Sequence, residues 1–170
     1  MNQPLHQVCL LVGSNIQAEE NLRLALQRLQ DRVMILCTSS VWKTAAVGSD
    51  GPDFLNLAVL VATPLTTAEL KMQVLRPLEA GMGRVRTADK NAPRPIDLDM
   101  IVFDGETLDG MLWEHAHRAV PVAELLPELR SNSGETLLQA AQRLSAIEKI
   151  EFFGGGMPLN GMPPPKNSIT

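Results

Sequence analysis

Tyrosine is absent from this 170-residue chain, and aromatic residues together make up only 4% of it. So few rings exclude a stacking platform for single-stranded nucleic acid, where successive bases lie on aromatic faces. The net charge of −4 offers no global attraction to nucleic acid or to an anionic membrane surface, so any anion site must be local. Cys9 and Cys37 are the only cysteines. Both fall in apolar stretches that read as strands, which predicts buried, reduced thiols and no disulfide scaffold. No apolar run approaches the roughly 18 residues of a membrane-spanning helix. Residues 1–7 carry neither a charged segment nor a long apolar one, so no signal peptide and a cytoplasmic address are expected. The phosphate-loop pattern Gly-x4-Gly-Lys-Ser/Thr is missing, and no internal repeat occurs. A monomer acting on small molecules, with no nucleic-acid or membrane partner, is expected.

Apolar residues make up 45% and charged residues 20% of the chain, an ordinary balance for one soluble globular domain. The chain divides into a domain over 1–153 and a Gly/Pro-rich tail over 154–170 with the composition of a linker. Residues 8–12 form a short apolar run that reads as a buried strand ending at Gly13-Ser14-Asn15. Leu22, Ala25, Leu26 and Leu29 recur at helical spacing, which predicts a helix over 18–30. Residues 33–43 and 54–63 read as strands, separated by a loop with Gly48, Gly51 and Pro52 as breakers. Thr66 and Glu69 form a capping box before a helix reaching about Gly81, which Pro77 should kink. A strand over 96–103 follows. Asp104-Gly105 suits a hairpin turn, with a short return strand over 108–113. A helix over 136–144 and a strand over 147–152 complete the pattern. The order is β-α-β-β-α-β with added C-terminal elements. This is the signature of an α+β ferredoxin-like sandwich, with helices on one face of a mainly antiparallel sheet.

The stretch 83–103 carries the chemistry. Arg84, Arg86, Lys90 and Arg94 precede a strand bearing Asp97 and Asp99. Alternate strand residues share a face, so the two carboxylates stand side by side roughly 7 Å apart. They repel one another unless a cation lies between them. A hard divalent ion such as Mg²⁺ takes one or two carboxylates and completes its shell with water and phosphate oxygens. Arginine forks bind phosphate oxygens in pairs. A solvated edge strand beside a basic loop fits the same residues. Asn56 is the one amide inside its apolar strand, and it bonds either neighbouring backbone or a polar ligand. His115 and His117, two residues apart and without further ligands, are a poor metal signal.

Arg94-Pro95-Ile96-Asp97-Leu98-Asp99 closely resembles the signature of the 6-hydroxymethyl-7,8-dihydropterin pyrophosphokinases of folate biosynthesis, whose usual form is Pro-Arg-Thr-Leu-Asp-Leu-Asp. Gly83-Arg84-Val85-Arg86 and Gly13-Ser14-Asn15 match the same family, and the resemblance runs from about Val8 to Leu138. It implies transfer of the β,γ-pyrophosphoryl group of ATP to the hydroxymethyl of the pterin, releasing AMP. It implies two Mg²⁺ ions on Asp97 and Asp99, with Arg84 and Arg94 catalytic beside them. Glu79, Arg84, Arg86, Arg94, His115 and Arg118 are the implied ATP contacts. Thr44, Val47, Phe54 and Asn56 are the implied pterin pocket. Phe54 stands where the family has Tyr, Arg76 where it has Gln, and Asn91 where it favours an aromatic residue. The segment 113–121 is several residues shorter than usual, and the family's Arg-x-Phe has no clean counterpart. Two other readings are a weakened nucleotide- or pterin-binding relative and a ferredoxin-like regulatory domain that binds a metabolite without Mg²⁺ dependence.

Overall fold

A computed structural model describes residues 3–46, 50–157 and 159. Its centre is β1 (His6–Ser14), longer than the apolar run suggested. Strand β1 pairs antiparallel with β4 (Phe54–Thr63) on one side and β5 (Asp97–Phe103) on the other. Helix α1 (Ala18–Gln30) follows β1 and buries Leu22, Ala25, Leu26 and Leu29, the residues whose spacing predicted it.

The expected strand over 33–43 is two strands, β2 (Met34–Thr38) and β3 (Val41–Thr44), both paired with β4. The break falls at Ser39-Ser40, both buried. Ser39 Oγ accepts the Ala58 N–H at 2.8 Å, and Glu124 accepts the Ser40 N–H at 2.9 Å. Side-chain oxygens thus replace ladder carbonyls, which satisfies the buried amides but interrupts the strand.

The Thr66 capping box is realised and starts α2 (Thr67–Leu70). Pro77 does not break the helical run. The chain passes through a π-helical stretch, Lys71–Leu75, into α3 (Arg76–Gly81), and the Arg76 N–H reaches back to the Lys71 carbonyl. This wider register takes up the ladder disruption that the proline ring imposes. Asp104 and Gly105 both have positive φ, 47° and 82°, as a two-residue hairpin turn requires. The return strand is only β6 (Glu106–Thr107). Residues Gly110–Trp113, expected in that strand, form a 3₁₀ turn that Asp109 caps through the Met111 N–H. Helices α4 (Ala116–Leu125) and α5 (Leu137–Ser145) follow, then β7 (Glu151–Gly154), which pairs with β3 later in the sequence than the 147–152 expectation.

The sheet order is β6-β5-β1-β4-β3-β7, with β2 also on β4. Within it β5-β1-β4-β2 is the antiparallel core of the ferredoxin-like pattern, as expected. Helices, however, cover both faces. Val8, Leu10, Val12 and Leu57 pack with residues of α1 and of the α2–α3 run. Cys9, Leu11, Ala58 and Leu60 pack with residues of α4 and α5 on the other face. Two-sided coverage explains why β1 and β4 read as continuous apolar runs rather than alternating ones. Burial raises the Cys9 thiol pKa, with a smaller push from Cys37. Cys9 and Cys37 lie opposite Leu60 from its two sides, so a strand separates them. The chain beyond Phe153 is not all linker. Gly154 ends β7, and Met157 and Leu159 are buried in the α1-side core.

Candidate active site

The strand registers assemble the site. Asp97 lies opposite Gly13, Gly13 opposite Asn56, and Asn56 opposite Trp42, in one row across β5, β1, β4 and β3. Asp99 lies opposite Leu11 in the parallel row. Residues paired across antiparallel strands share a face. Both carboxylates therefore lie on the α4–α5 face, at the sheet end that those helices leave open.

A cavity of about 250 Å³ sits there. Gly13, Phe54 and Asn56 form its floor, Thr44 to Ala46 and Lys90 to Ala92 its sides. Arg94, Asp97, Asp99, Met111, His115, His117 and Arg118 complete the wall. Thr44, Phe54, Asn56, Arg94, Asp97, Asp99, His115 and Arg118 are thus brought together from separate elements. Val47 lies outside the described residues. A second cleft of about 700 Å³ shares Lys90, Ala92 and Arg94 with the first and is lined by Arg84, Arg86 and Thr87.

Two residues that line the first cavity carry unpaired polar atoms. Among the described residues, Asn56 Nδ2 and Arg118 Nε are buried without a hydrogen-bond partner, an arrangement that needs an explanation in a native fold. Gly13 makes room for the amide: a Cβ there would lie 2.5 Å from Asn56 Oδ1.

The basic loop is folded inward. Arg84 and Arg94 both pair with Asp97, Arg94 at 2.8 Å. Arg84 also bonds Glu79 at 2.8 Å, and Arg86 bonds it at 3.1 Å. Glu79, expected among the ATP contacts, is only 4% exposed and also accepts the Leu98 N–H at 2.8 Å. Its oxygens are committed to holding two arginines and the start of β5, so it lines neither cleft. Arg118 bonds Asp109 at 2.6 Å and stands 3.8 Å from Asp99. Burial and the charge of Asp97 together push the Asp99 carboxyl up to about 6, against the smaller downward pull of Arg118. Burial, Arg118 and His115 hold the His117 imidazole down at about 4. Asp109 escapes the sequence reading, and His117 is read there only as a poor metal ligand. Asp109 reaches Arg118 because the 3₁₀ turn it caps packs against α4, and no local pattern signals that.

Ser14 and Asn15 are structural here. Ser14 Oγ bonds the Ile16 carbonyl at 3.0 Å, and the Asn15 N–H is taken by Arg94. The Gly-Ser-Asn turn thus anchors the basic loop.

This combination defines a ferredoxin-like α+β protein whose open sheet end carries paired carboxylates ringed by cations. The chain belongs to the 7,8-dihydro-6-hydroxymethylpterin-pyrophosphokinase family, whose model matches residues 9–128. It is 33% identical to the 2-amino-4-hydroxy-6-hydroxymethyldihydropteridine pyrophosphokinase of Methylorubrum extorquens, over 70% of this chain and 80% of that one. The Synechocystis enzyme of the same name is 29% identical over 84% of this chain and 78% of its own. These relatives are transferases, and the family is one of enzymes in folate synthesis. Among solved structures, the Plasmodium falciparum HPPK-DHPS chain superimposes with a TM-score of 0.67 at 12% identity, over 84% of this chain. This chain spans 43% of that longer one, and the likeness is one of fold.

Proposed function

We propose that this chain transfers the β,γ-pyrophosphoryl group of ATP to the hydroxymethyl of 6-hydroxymethyl-7,8-dihydropterin, giving the pterin diphosphate and AMP. The observation that carries this reading is the row Asp97–Gly13–Asn56. It puts a carboxylate pair and an unsatisfied amide in one small cavity, with Phe54 beside the amide. A flat heterocycle with donors and acceptors along its edge suits that amide and that ring. Its hydroxymethyl arm would then point along the row toward Asp97 and Asp99.

The donor set fits Mg²⁺. Asp97 and Asp99 offer hard carboxylate oxygens from one face, and the raised Asp99 carboxyl marks a place where negative charge lacks compensation. Asp97 and Asp99 would hold the Mg²⁺ ions, whose charge would offset that of the phosphate oxygens. The remaining work falls to the chain. Arg84 and Arg94 neutralise Asp97 in the free protein, and an arriving triphosphate would draw their guanidinium groups onto its oxygens. Arg86 would bind phosphate from the adjoining cleft. His115 and Arg118 would bind it from the α4 side. Thr44 and Phe54 flank the pterin and Asn56 reads its edge. Phosphoryl-type transfer depends on positioning and charge stabilisation more than on covalent help, and these residues supply both. Val47 stays a candidate for the pterin wall. The address is proposed to be cytoplasmic and the working state a monomer. No helix among the described residues is long and apolar enough to cross a membrane.

The test is AMP formation from ATP and the hydroxymethyl pterin in the presence of Mg²⁺, with Asp97→Ala as the control. Stoichiometric AMP from the unaltered chain and none from the variant is the expected result. No AMP from the unaltered chain would overturn the reading.

A further inference from the structure

At the α4 edge of the cavity lies a second group of potential metal ligands, distinct from the aspartates. His115, His117 and Glu148 place one ligand atom each within 4.8 Å of the others. The local geometry explains how two histidines two residues apart converge. His115 is the N-cap of α4 with extended backbone, φ −132° and ψ 131°, whereas His117 is already inside the helix. The chain turns between them, and their rings stack with centroids 5.6 Å apart. Glu148 arrives from beyond α5. One of its oxygens accepts the Ala116 N–H at 2.8 Å, satisfying an amide that the first turn of a helix leaves unpaired. The other oxygen stands 3.4 Å from His115 Nδ1. A backbone amide thus orients the carboxylate toward the two imidazoles.

We propose that His115, His117 and Glu148 bind a divalent transition-metal ion of the zinc type, with an open coordination position toward the cavity. Two imidazole nitrogens and one carboxylate oxygen are a donor set that zinc uses where it keeps a fourth position for water or ligand. Imidazole nitrogen favours Zn²⁺ and its neighbours, whereas the all-oxygen pair Asp97 and Asp99 favours Mg²⁺. The cavity wall therefore offers two cation sites of different chemical preference. The nearby Arg118 charge does not oppose this one unchecked, since Asp109 holds it at 2.6 Å and Asp99 stands 3.8 Å away. Both histidines line the cavity, so the open position is within reach of an anionic oxygen bound there. The ligand atoms need only draw together slightly to reach metal–ligand distances near 2.0–2.2 Å.

The experiment uses the full chain without a histidine tag, titrated with Zn²⁺ by calorimetry and with Co²⁺ by visible absorption. Both readouts are independent of turnover, so the result stands apart from the pyrophosphokinase proposal. The unaltered chain is expected to take up one Zn²⁺ and to give the intense visible bands of low-coordinate Co²⁺. His117→Ala should weaken Zn²⁺ binding by more than about 100-fold, beyond the loss typical of a group that only supports a ligand. Glu148→Gln keeps an acceptor for the Ala116 N–H and should weaken it by at least about 10-fold. Asp97→Ala should leave it intact. Absence of Zn²⁺ uptake by the unaltered chain overturns the proposal. So does uptake that survives both His117→Ala and Glu148→Gln, which would put the metal elsewhere, at Cys37 or His6. Should His117→Ala fail to fold by circular dichroism, His115→Ala and Glu148→Gln decide by the same criterion.

Discussion

Asn15 and Arg94 exchange two hydrogen bonds: the Arg94 N–H donates to Asn15 Oδ1 at 2.7 Å, and the Asn15 N–H donates to the Arg94 carbonyl at 3.2 Å. The end of β1 is thereby tied to the residue that enters β5 through Pro95. This pair fixes where the Arg94 guanidinium can reach. Asn15→Ala strands the Arg94 N–H in a half-buried place, which should cost about 1–2 kcal/mol. Urea denaturation measures that loss. Calorimetric titration with Mg²⁺ and a non-hydrolysable ATP analogue should show a weakening beyond it, because the loop loses its anchor.

Gly13 is a test of the floor of the cavity. A Cβ would meet Asn56 Oδ1 at 2.5 Å, and Asn56 is walled in by β1 and β3. Gly13→Ala should therefore rotate the amide out of position rather than unfold the sheet. The expected signature is a KM for the pterin raised by about 10-fold or more, since a misplaced buried hydrogen bond costs 1–3 kcal/mol. The KM for ATP should change little. Equal losses for both substrates would show that the damage lies in the fold.

Asp99 works against the stability of the metal-free protein. Its carboxyl is pushed up to about 6 from an ordinary value of 3.8, by burial first and Asp97 second. The unfolded chain releases that proton more readily, so folding is penalised above about pH 6. The penalty fades as pH falls toward 4 and is gone below it. Asp99→Asn should accordingly stabilise the protein at pH 7 in a chelator. The side chain is 43% exposed, and solvent screening holds the gain to about 1 kcal/mol. At pH 4 the gain should vanish, and the variant should have no transfer activity at any pH. Thermal unfolding at both pH values, with and without Mg²⁺, checks each part.

Glu79 holds Arg84 and Arg86 from a nearly closed position, at 2.8 and 3.1 Å. Glu79→Ala leaves the half-buried Arg84 dependent on Asp97 alone and the Leu98 N–H without its acceptor. The expected cost is about 1–3 kcal/mol, chiefly for the buried Leu98 N–H left without an acceptor. Chemical denaturation reads it. Arg86→Ala should cost far less, since that side chain is 58% exposed, and its effect should fall on ATP binding.

Much of this arrangement is legible in residue order. The period of two places Asp97 and Asp99 on one face, the spacing of Leu22 to Leu29 sets α1, and Asp104-Gly105 sets the hairpin. What is not legible depends on partners far along the chain. The Ser39-Ser40 break needs Ala58 and Glu124, and nothing in β2 or β3 announces it. The stretch 83–94 is basic enough to suggest phosphate binding, but only the fold shows that Glu79 and Asp97 already hold its arginines. His115 and His117 look poor as metal ligands until the segment after α5 brings Glu148 to them. Gly154 to Gly156 read as the start of a linker, and that composition hides Met157 and Leu159, which the core buries. The helices of the β-α-β-β-α-β unit lie on one face as expected, and the added C-terminal helices cover the other. Continuous apolar strands signal coverage on both sides, and α4 and α5 provide it.

The most direct test of the account is quantitation of AMP by chromatography after mixing purified protein with ATP, Mg²⁺ and 6-hydroxymethyl-7,8-dihydropterin. Under the proposed mechanism AMP and pterin diphosphate appear in equal amounts, and Asp97→Ala abolishes both. Tight binding of Mg²⁺–ATP and pterin with no AMP formed would contradict it and leave a ligand-binding relative in place of an enzyme.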